Sequence, residues 1–268
     1  PSLETVANSI KSTVSVEKLH DWPKKGESAD NVFKLLTLDK AADDFLAHPN
    51  VNAWINYIKL FNEENPTKRA SLIATLTAQY GDDGLAKIIE AAKRVPSTED
   101  IAKRVQTEQL QSWLVGQKST DEVFGLLALD KAADSLLASP QLNTWISYMK
   151  LFNEKNPTKK TSLIATLTAH YGDKGLTKIV EAAERVPSTA TIAKRVQNEQ
   201  IQRWLGHGKT PDKVFAMLNL DEAGTHFFMH PQMNTWVKYT DDFNKAYPDT
   251  EITLLSVLSK RFKEETVV

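Results

Sequence analysis

The sequence contains no cysteine. That excludes disulfide bonds, a thiolate nucleophile and any zinc site built on Cys ligands. No run approaches the roughly 18 consecutive apolar residues of a membrane-spanning helix. Excess charge of one sign is also missing, since 33 Lys and Arg stand against 34 Asp and Glu for a net charge of −1. A nucleic-acid grip carries a strongly basic face, so this balance argues against one and gives no reason to expect an anionic membrane as partner. The first residues lack the charged and apolar regions of a secretory signal. A chain that opens on Pro1 rather than Met reads as a processed or truncated product, from which any targeting segment would have been removed. What is present is ordinary for a globular protein. At 41% apolar and 25% charged there is enough material for packed cores, which excludes global disorder.

The dominant signal is an internal repeat. Trp54, Trp145 and Trp236 lie in NAWINYIKLFN, NTWISYMKLFN and NTWVKYTDDFN, spaced by 145 − 54 = 91 and 236 − 145 = 91. Trp22, Trp113 and Trp204 obey the same offset, and the two sets use all six tryptophans. Tyr80 in LTAQYGD corresponds to Tyr171 in LTAHYGD, and Phe262 stands there in the third copy. Copies one and two agree at roughly 55 of 77 aligned positions, and copy three at about 17 of 50, the pattern of an array with a divergent end unit. The expected units are 1–95, 96–186 and 187–268.

Each copy reads as helix throughout. Trp145, Tyr148, Met149 and Phe152 fall at i, i+3, i+4 and i+7, which puts them on one helix face. Ser97 with Asp100 resembles a capping box ahead of a helix bearing Ile101, Val105, Leu110, Trp113 and Leu114. Ser119-Thr120-Asp121-Glu122 caps a short helix carrying Val123, Phe124, Leu126 and Leu127, and a second short helix stops before Pro140. Gly172 supplies a left-handed stop, after which Asp173 can cap the next helix. No stretch alternates with period two. The expected class is all-α, a tandem repeat of small bundles of about five helices joined end to end into an elongated rigid array.

These landmarks resemble the L, W and Y motifs of oomycete (Phytophthora) RxLR effectors. The W-x-x-Y-x-x-x-F helix, the L-x-x-x-Y-G-D-x-G-L turn and the helix ending in Leu/Ile-x-x-Trp carry the resemblance. It implies WY units built around a Trp and a Tyr, here Trp54, Tyr57 and Tyr80, then Trp145, Tyr148 and Tyr171, then Trp236, Tyr239 and Phe262. It also implies LWY units whose first helix docks on the preceding unit. Leu19, Leu110 and Ile201 mark those helices, and Leu110, Trp113, Leu114, Ile201, Trp204 and Leu205 are the expected docking residues. No RxLR or EER-like segment is present, and KEETVV replaces GDxGL in the third copy. The resemblance further implies a secreted virulence effector that acts inside the host plant cell, in its cytoplasm or nucleus, as a monomeric, non-enzymatic protein-interaction module. Some tandem LWY proteins recruit the scaffold subunit of host protein phosphatase 2A, which would make units one and two (about 19–186) the natural platform. The alternatives are a helical repeat scaffold without a virulence role, an autophagy-related binder of a host protein, and a hydrolase using exposed carboxylates.

Chemistry is hard to find. Of six histidines only His48 and His230 occupy equivalent positions, and Ser139 stands between them, so no base recurs with the repeat. His226 and His230 have metal-compatible spacing, but no third ligand accompanies them. Gly208-Lys209-Thr210 lacks the upstream Gly and strand of a phosphate loop. Phe33 to Leu36 and Phe124 to Leu127 fit the aromatic-x-x-aliphatic pattern read by autophagy adaptors, a pattern core helices share. No catalytic residue, cofactor or metal is expected, and neither nucleic acid nor membrane as partner.

Overall fold

The computed structural model describes residues 16–265 of the chain, and side chains from Asp21 to Arg261 except Thr225. Every regular element among them is helical, α or 3-10. Val16–Lys25 (α1), Ala29–Leu35 (α2), Val51–Glu64 (α3) and Leu72–Ala92 (α4) belong to the first copy. Glu99–Val115 (α5), Thr120–Leu126 (α6), Gln141–Lys155 (α7) and Leu163–Glu184 (α8) form the second. Ala190–Gly206 (α9), Pro211–Met217 (α10), Met233–Ala246 (α11) and Leu254–Glu265 (α12) form the third. Tandem helical bundles are therefore the fold. By proximity the chain divides into two compact units, one running to Leu129 and including Pro140–Lys160, the other comprising Asp130–Ser139 and everything from Thr161.

One constellation recurs in all three copies. The indoles of Trp54, Trp145 and Trp236 have 0% exposure. Each Nε1–H donates to a backbone carbonyl 25 residues earlier: Ala29 at 2.9 Å, Thr120 at 2.8 Å and Pro211 at 2.8 Å. Their rings meet Phe33, Phe124 and Phe215 edge-on, with centroids 4.9, 5.5 and 5.1 Å apart. One turn on, the Tyr57, Tyr148 and Tyr239 hydroxyls donate to Glu27, Lys118 and Lys209 carbonyls at 2.6, 2.5 and 2.6 Å. The long helix thus ties down the backbone at the start of the short one through its carbonyl oxygens, and the short helix is too brief to stand alone.

The caps divide unevenly from the sequence expectation. Ser119 and Glu122 form a reciprocal capping box at α6. Helix α5, by contrast, starts from Thr98 rather than Ser97, and Thr98 makes no side-chain cap bond. Gly81 and Gly172 interrupt α4 and α8 at non-helical φ 72°, ψ 166° and φ 68°, ψ 170°, so each is two helices meeting at a kink, as the expected stop and restart require. That region is essentially glycine-only. A Cβ on Gly172 would meet nothing within 4 Å, so the penalty for alanine is purely conformational. Gly172→Ala is expected to cost about 1–3 kcal/mol in urea denaturation, and a loss below about 0.3 kcal/mol would refute the backbone assignment.

The two aromatic-x-x-aliphatic segments have their anchors inside, with Phe33, Leu36, Phe124 and Leu127 at 2% exposure or less. They are helical core and offer nothing to strand addition.

Candidate functional site

The helices that open the second and third copies make the same joint with the copy before them. Each joint lies within one compact unit. Thr98 Oγ1 donates to Ala92 O at 2.8 Å, and Thr189 Oγ1 to Ala183 O at 2.7 Å, closing the turn into α5 and α9. Ala102 and Val105 of α5 are buried within the first copy's core. Ala193 and Val196 are their buried counterparts on α9. Small side chains here let the helix axes approach closely.

Polar contacts then set the register. Gln109 Nε2 donates to Asp82 O at 3.2 Å, and Gln200 Nε2 to Asp173 O at 3.1 Å. Trp113 Nε1 donates to the Asp82 carboxylate at 2.8 Å, and Trp204 Nε1 to that of Asp173 at 2.6 Å. The same indoles face Tyr148 and Tyr239 edge-on, at 5.6 and 6.5 Å, as Trp22 faces Tyr57 at 6.3 Å. Trp113 and Trp204 therefore bond backward through nitrogen and pack forward through the ring. Charge-assisted bonds of this kind are about twice as strong as neutral ones, which favours one fixed register.

Ile201 and Leu205 pack against the core of their own copy, beside Trp204, Phe215 and Trp236. Leu110 and Leu114 are half-buried at the equivalent positions. The backward face is Ala102, Val105 and Gln109, a stripe too small and polar to stand out by hydropathy. Asp82 and Asp173 do more than cap a helix, because their carboxylates receive the tryptophan. The side chains of Leu19 and Phe262 lie outside the described residues.

Elsewhere the motif residues serve the scaffold. His48 and His230 Nδ1 accept the Asn50 and Gln232 backbone N–H at 3.1 and 3.2 Å, the same local cap in two copies. Tyr80 stacks on Phe45 with centroids 5.1 Å apart. Burial, aided by Glu27 and Glu64, pushes the Tyr57 phenol well above its ordinary value. Burial does the same at Tyr239, then Tyr247 adds to it. Tyr80, Tyr148 and Tyr171 are also raised, burial being the main cause. A folded-state phenol with a raised pKa favours the native state at ordinary pH, and this contribution is lost as pH climbs from about 10 through the raised values. An absorbance titration should show these phenols ionising above free tyrosine and together with loss of helical circular dichroism. Full ionisation near pH 10, with helix intact, would contradict it.

With this geometry in view the relatives become informative. The WY-domain model of effector PexRD54 matches residues 108–149 and 199–240, two segments one period apart that run from the docking tryptophan to the core tyrosine. RxLR effector protein PSR2 of Phytophthora sojae is 40% identical over 96% of the chain and 39% of its own length. PSR2 of Phytophthora infestans is 36% identical over 100% of the chain and 35% of its own length. The crystal structure of PcRxLR12 superposes with a TM-score of 0.69 at 34% identity, covering 97% of this chain and 66% of that one. The chain belongs to the WY-repeat RxLR effector family. It spans about two fifths of the length of the curated PSR2 relatives.

Read as an RxLR effector segment, the molecule offers two open clefts in its first compact unit, of about 490 and 730 Å³. Both are bordered by Arg104 of α5. The first lies between His48, Pro49 and Ile101, and the second runs along Ile58, Asn62 and Arg69. No helix among the described residues is long and apolar enough to cross a membrane.

Proposed function

We propose that this chain is the protein-binding part of a secreted virulence effector that acts without catalysis inside the host plant cell. Its partner is the scaffold subunit of host protein phosphatase 2A, and the three copies, 1–95, 96–186 and 187–268, are its modules. The observation that carries the reading is the joint. The repeated residues are spent on cores and on fixing one copy to the next, which leaves the outer faces free to differ and to recognise. Family membership supports the effector role, and the resemblance to tandem LWY proteins supports the phosphatase. The clefts beside Arg104 fall in the stretch 19–186, which is the minimal platform on this reading.

The test is direct mixing of the whole chain with purified scaffold subunit, read by calorimetry and size exclusion. A 1:1 complex is expected with a Kd on the order of 1 μM or tighter. Arg104→Glu, at an exposed position that makes a 3.8 Å ion pair with Glu108, should keep the fold and weaken the complex about tenfold or more. Absence of a complex at about 100 μM would remove the phosphatase. Failure to enrich any host protein from plant extract would remove the interaction role altogether.

A further inference from the structure

The 730 Å³ cleft of the first compact unit combines an apolar floor with a basic rim. Ile58 and Leu72 form the floor, both buried in the core below. On the rim Lys59 comes from α3, Arg69 from the turn into α4 and Arg104 from α5, and all three are exposed. Among the described residues neither Lys59 nor Arg69 has an ion pair, and Arg104 meets Glu108 at 3.8 Å. The wall that carries Arg69 is fixed in place. Asn62 grips the backbone of the next residue, Ala70, accepting from its N–H at 2.6 Å and donating to its carbonyl at 3.0 Å. The third copy builds the same turn, where Asn244 grips Ile252 at 2.9 and 2.8 Å. There the charges are inverted: Asp241 stands for Lys59, Glu251 for Arg69 and Lys245 for Glu63, while the second copy keeps Lys150, Lys160 and Glu154. The turn therefore folds with either sign, and its cations are free to serve recognition.

A guanidinium presents a planar fork that matches a carboxylate in two parallel bonds, and such charge-assisted bonds are the stronger kind. A rim held by a pinned turn also loses less freedom on binding than a mobile loop would. The charge pattern selects among anionic partners. Glu63 and Glu108 border the same cleft and would repel a continuous phosphate backbone, and the chain as a whole carries a net charge of −1. A polypeptide can instead place carboxylates on the cations and an apolar side chain on the floor between them. We propose that this cleft takes an acidic segment of a partner protein, its carboxylates on Lys59, Arg69 and Arg104 and one apolar side chain on Ile58 and Leu72. The proposal rests on the reading that the chain binds proteins through the stretch 19–186, though not on which protein it binds.

The probe is the capped peptide acetyl-Asp-Glu-Leu-Glu-Asp-amide, titrated into the whole chain while backbone amide resonances are followed by NMR. Saturable shifts are expected at Lys59, Ala70 and Arg104, with a Kd on the order of 0.1–1 mM in about 50 mM salt. The uncharged counterpart acetyl-Asn-Gln-Leu-Gln-Asn-amide should bind at least about tenfold more weakly. Lys59→Asp combined with Arg69→Glu installs the third copy's own residues, so the fold is expected to survive and the shifts to vanish. Lys59→Gln with Arg69→Gln removes the charge without reversing it and should weaken binding about threefold to tenfold. Shifts that are absent, that the uncharged peptide reproduces, or that persist in the charge-reversed variant would overturn the proposal. An oligouridylate of equal charge that gives the same shifts at lower concentration would overturn it in favour of nucleic acid. The peptide result is separable from the phosphatase. A bound peptide without a phosphatase complex keeps the cleft and removes that partner, and a phosphatase complex without a bound peptide does the reverse.

Discussion

Replacing Trp145 by alanine is expected to cost about 3–5 kcal/mol, enough to unfold much of the first compact unit. The side chain has 0% exposure, so its removal leaves a cavity the size of an indole. It also removes the indole N–H from the Thr120 carbonyl and the edge-on partner from Phe124, at 2.8 and 5.5 Å. Thr120 is the first residue of α6, a seven-residue helix held by this contact, so the loss propagates beyond the cavity. Phenylalanine should recover part of the packing but not the bond, for a loss of about 2–3 kcal/mol. Urea denaturation followed by circular dichroism checks both, and an alanine variant within about 1 kcal/mol of the parent would mean that the indole does not organise this core.

Lys93→Met is the second large effect. Methionine keeps the apolar stem and removes only the charge. Glu90, with a side-chain exposure of 5%, then loses its counter-ion while keeping the neutral donors Gln106 and Thr144. Breaking a buried pair typically costs about 3–5 kcal/mol, and the partial exposure of Lys93 and the surviving donors reduce the expected loss to about 2–3 kcal/mol. Glu90→Gln on that background removes the stranded charge and should restore most of the stability, since an amide oxygen still accepts from both neighbours. The sharp result is the double variant. If it is no better than Lys93→Met, charge burial is not what holds this joint.

Both predictions depend on residues that a reader of the sequence weighs very differently. Trp145 announces itself through a period of 91 and through apolar neighbours at helical spacing. The repeat, the helical class and the membership of an effector family all follow from such local and periodic signals. The breaks at Gly81 and Gly172 are legible too, since the glycine marks a positive-φ stop and the aspartate after it a new start; what the sequence leaves open is how sharply the two helices bend. Glu90 and Lys93 look like any solvated i,i+3 pair. Only the arrival of α5 and α7, bringing Gln106 and Thr144 from 16 and 54 residues away, makes that glutamate a buried hub.

The sequence alone determined what each copy is made of, because core periodicity, turn residues and caps act within a few residues of one another. Tertiary structure decided how one copy is fastened to the next. Asp82 and Asp173 as acceptors of an indole N–H, and Gln109 on the small backward face of α5, depend on partners 27 or more residues away. Such pairings leave no period in the chain, since the energy of a polar contact is set by what surrounds it once folded.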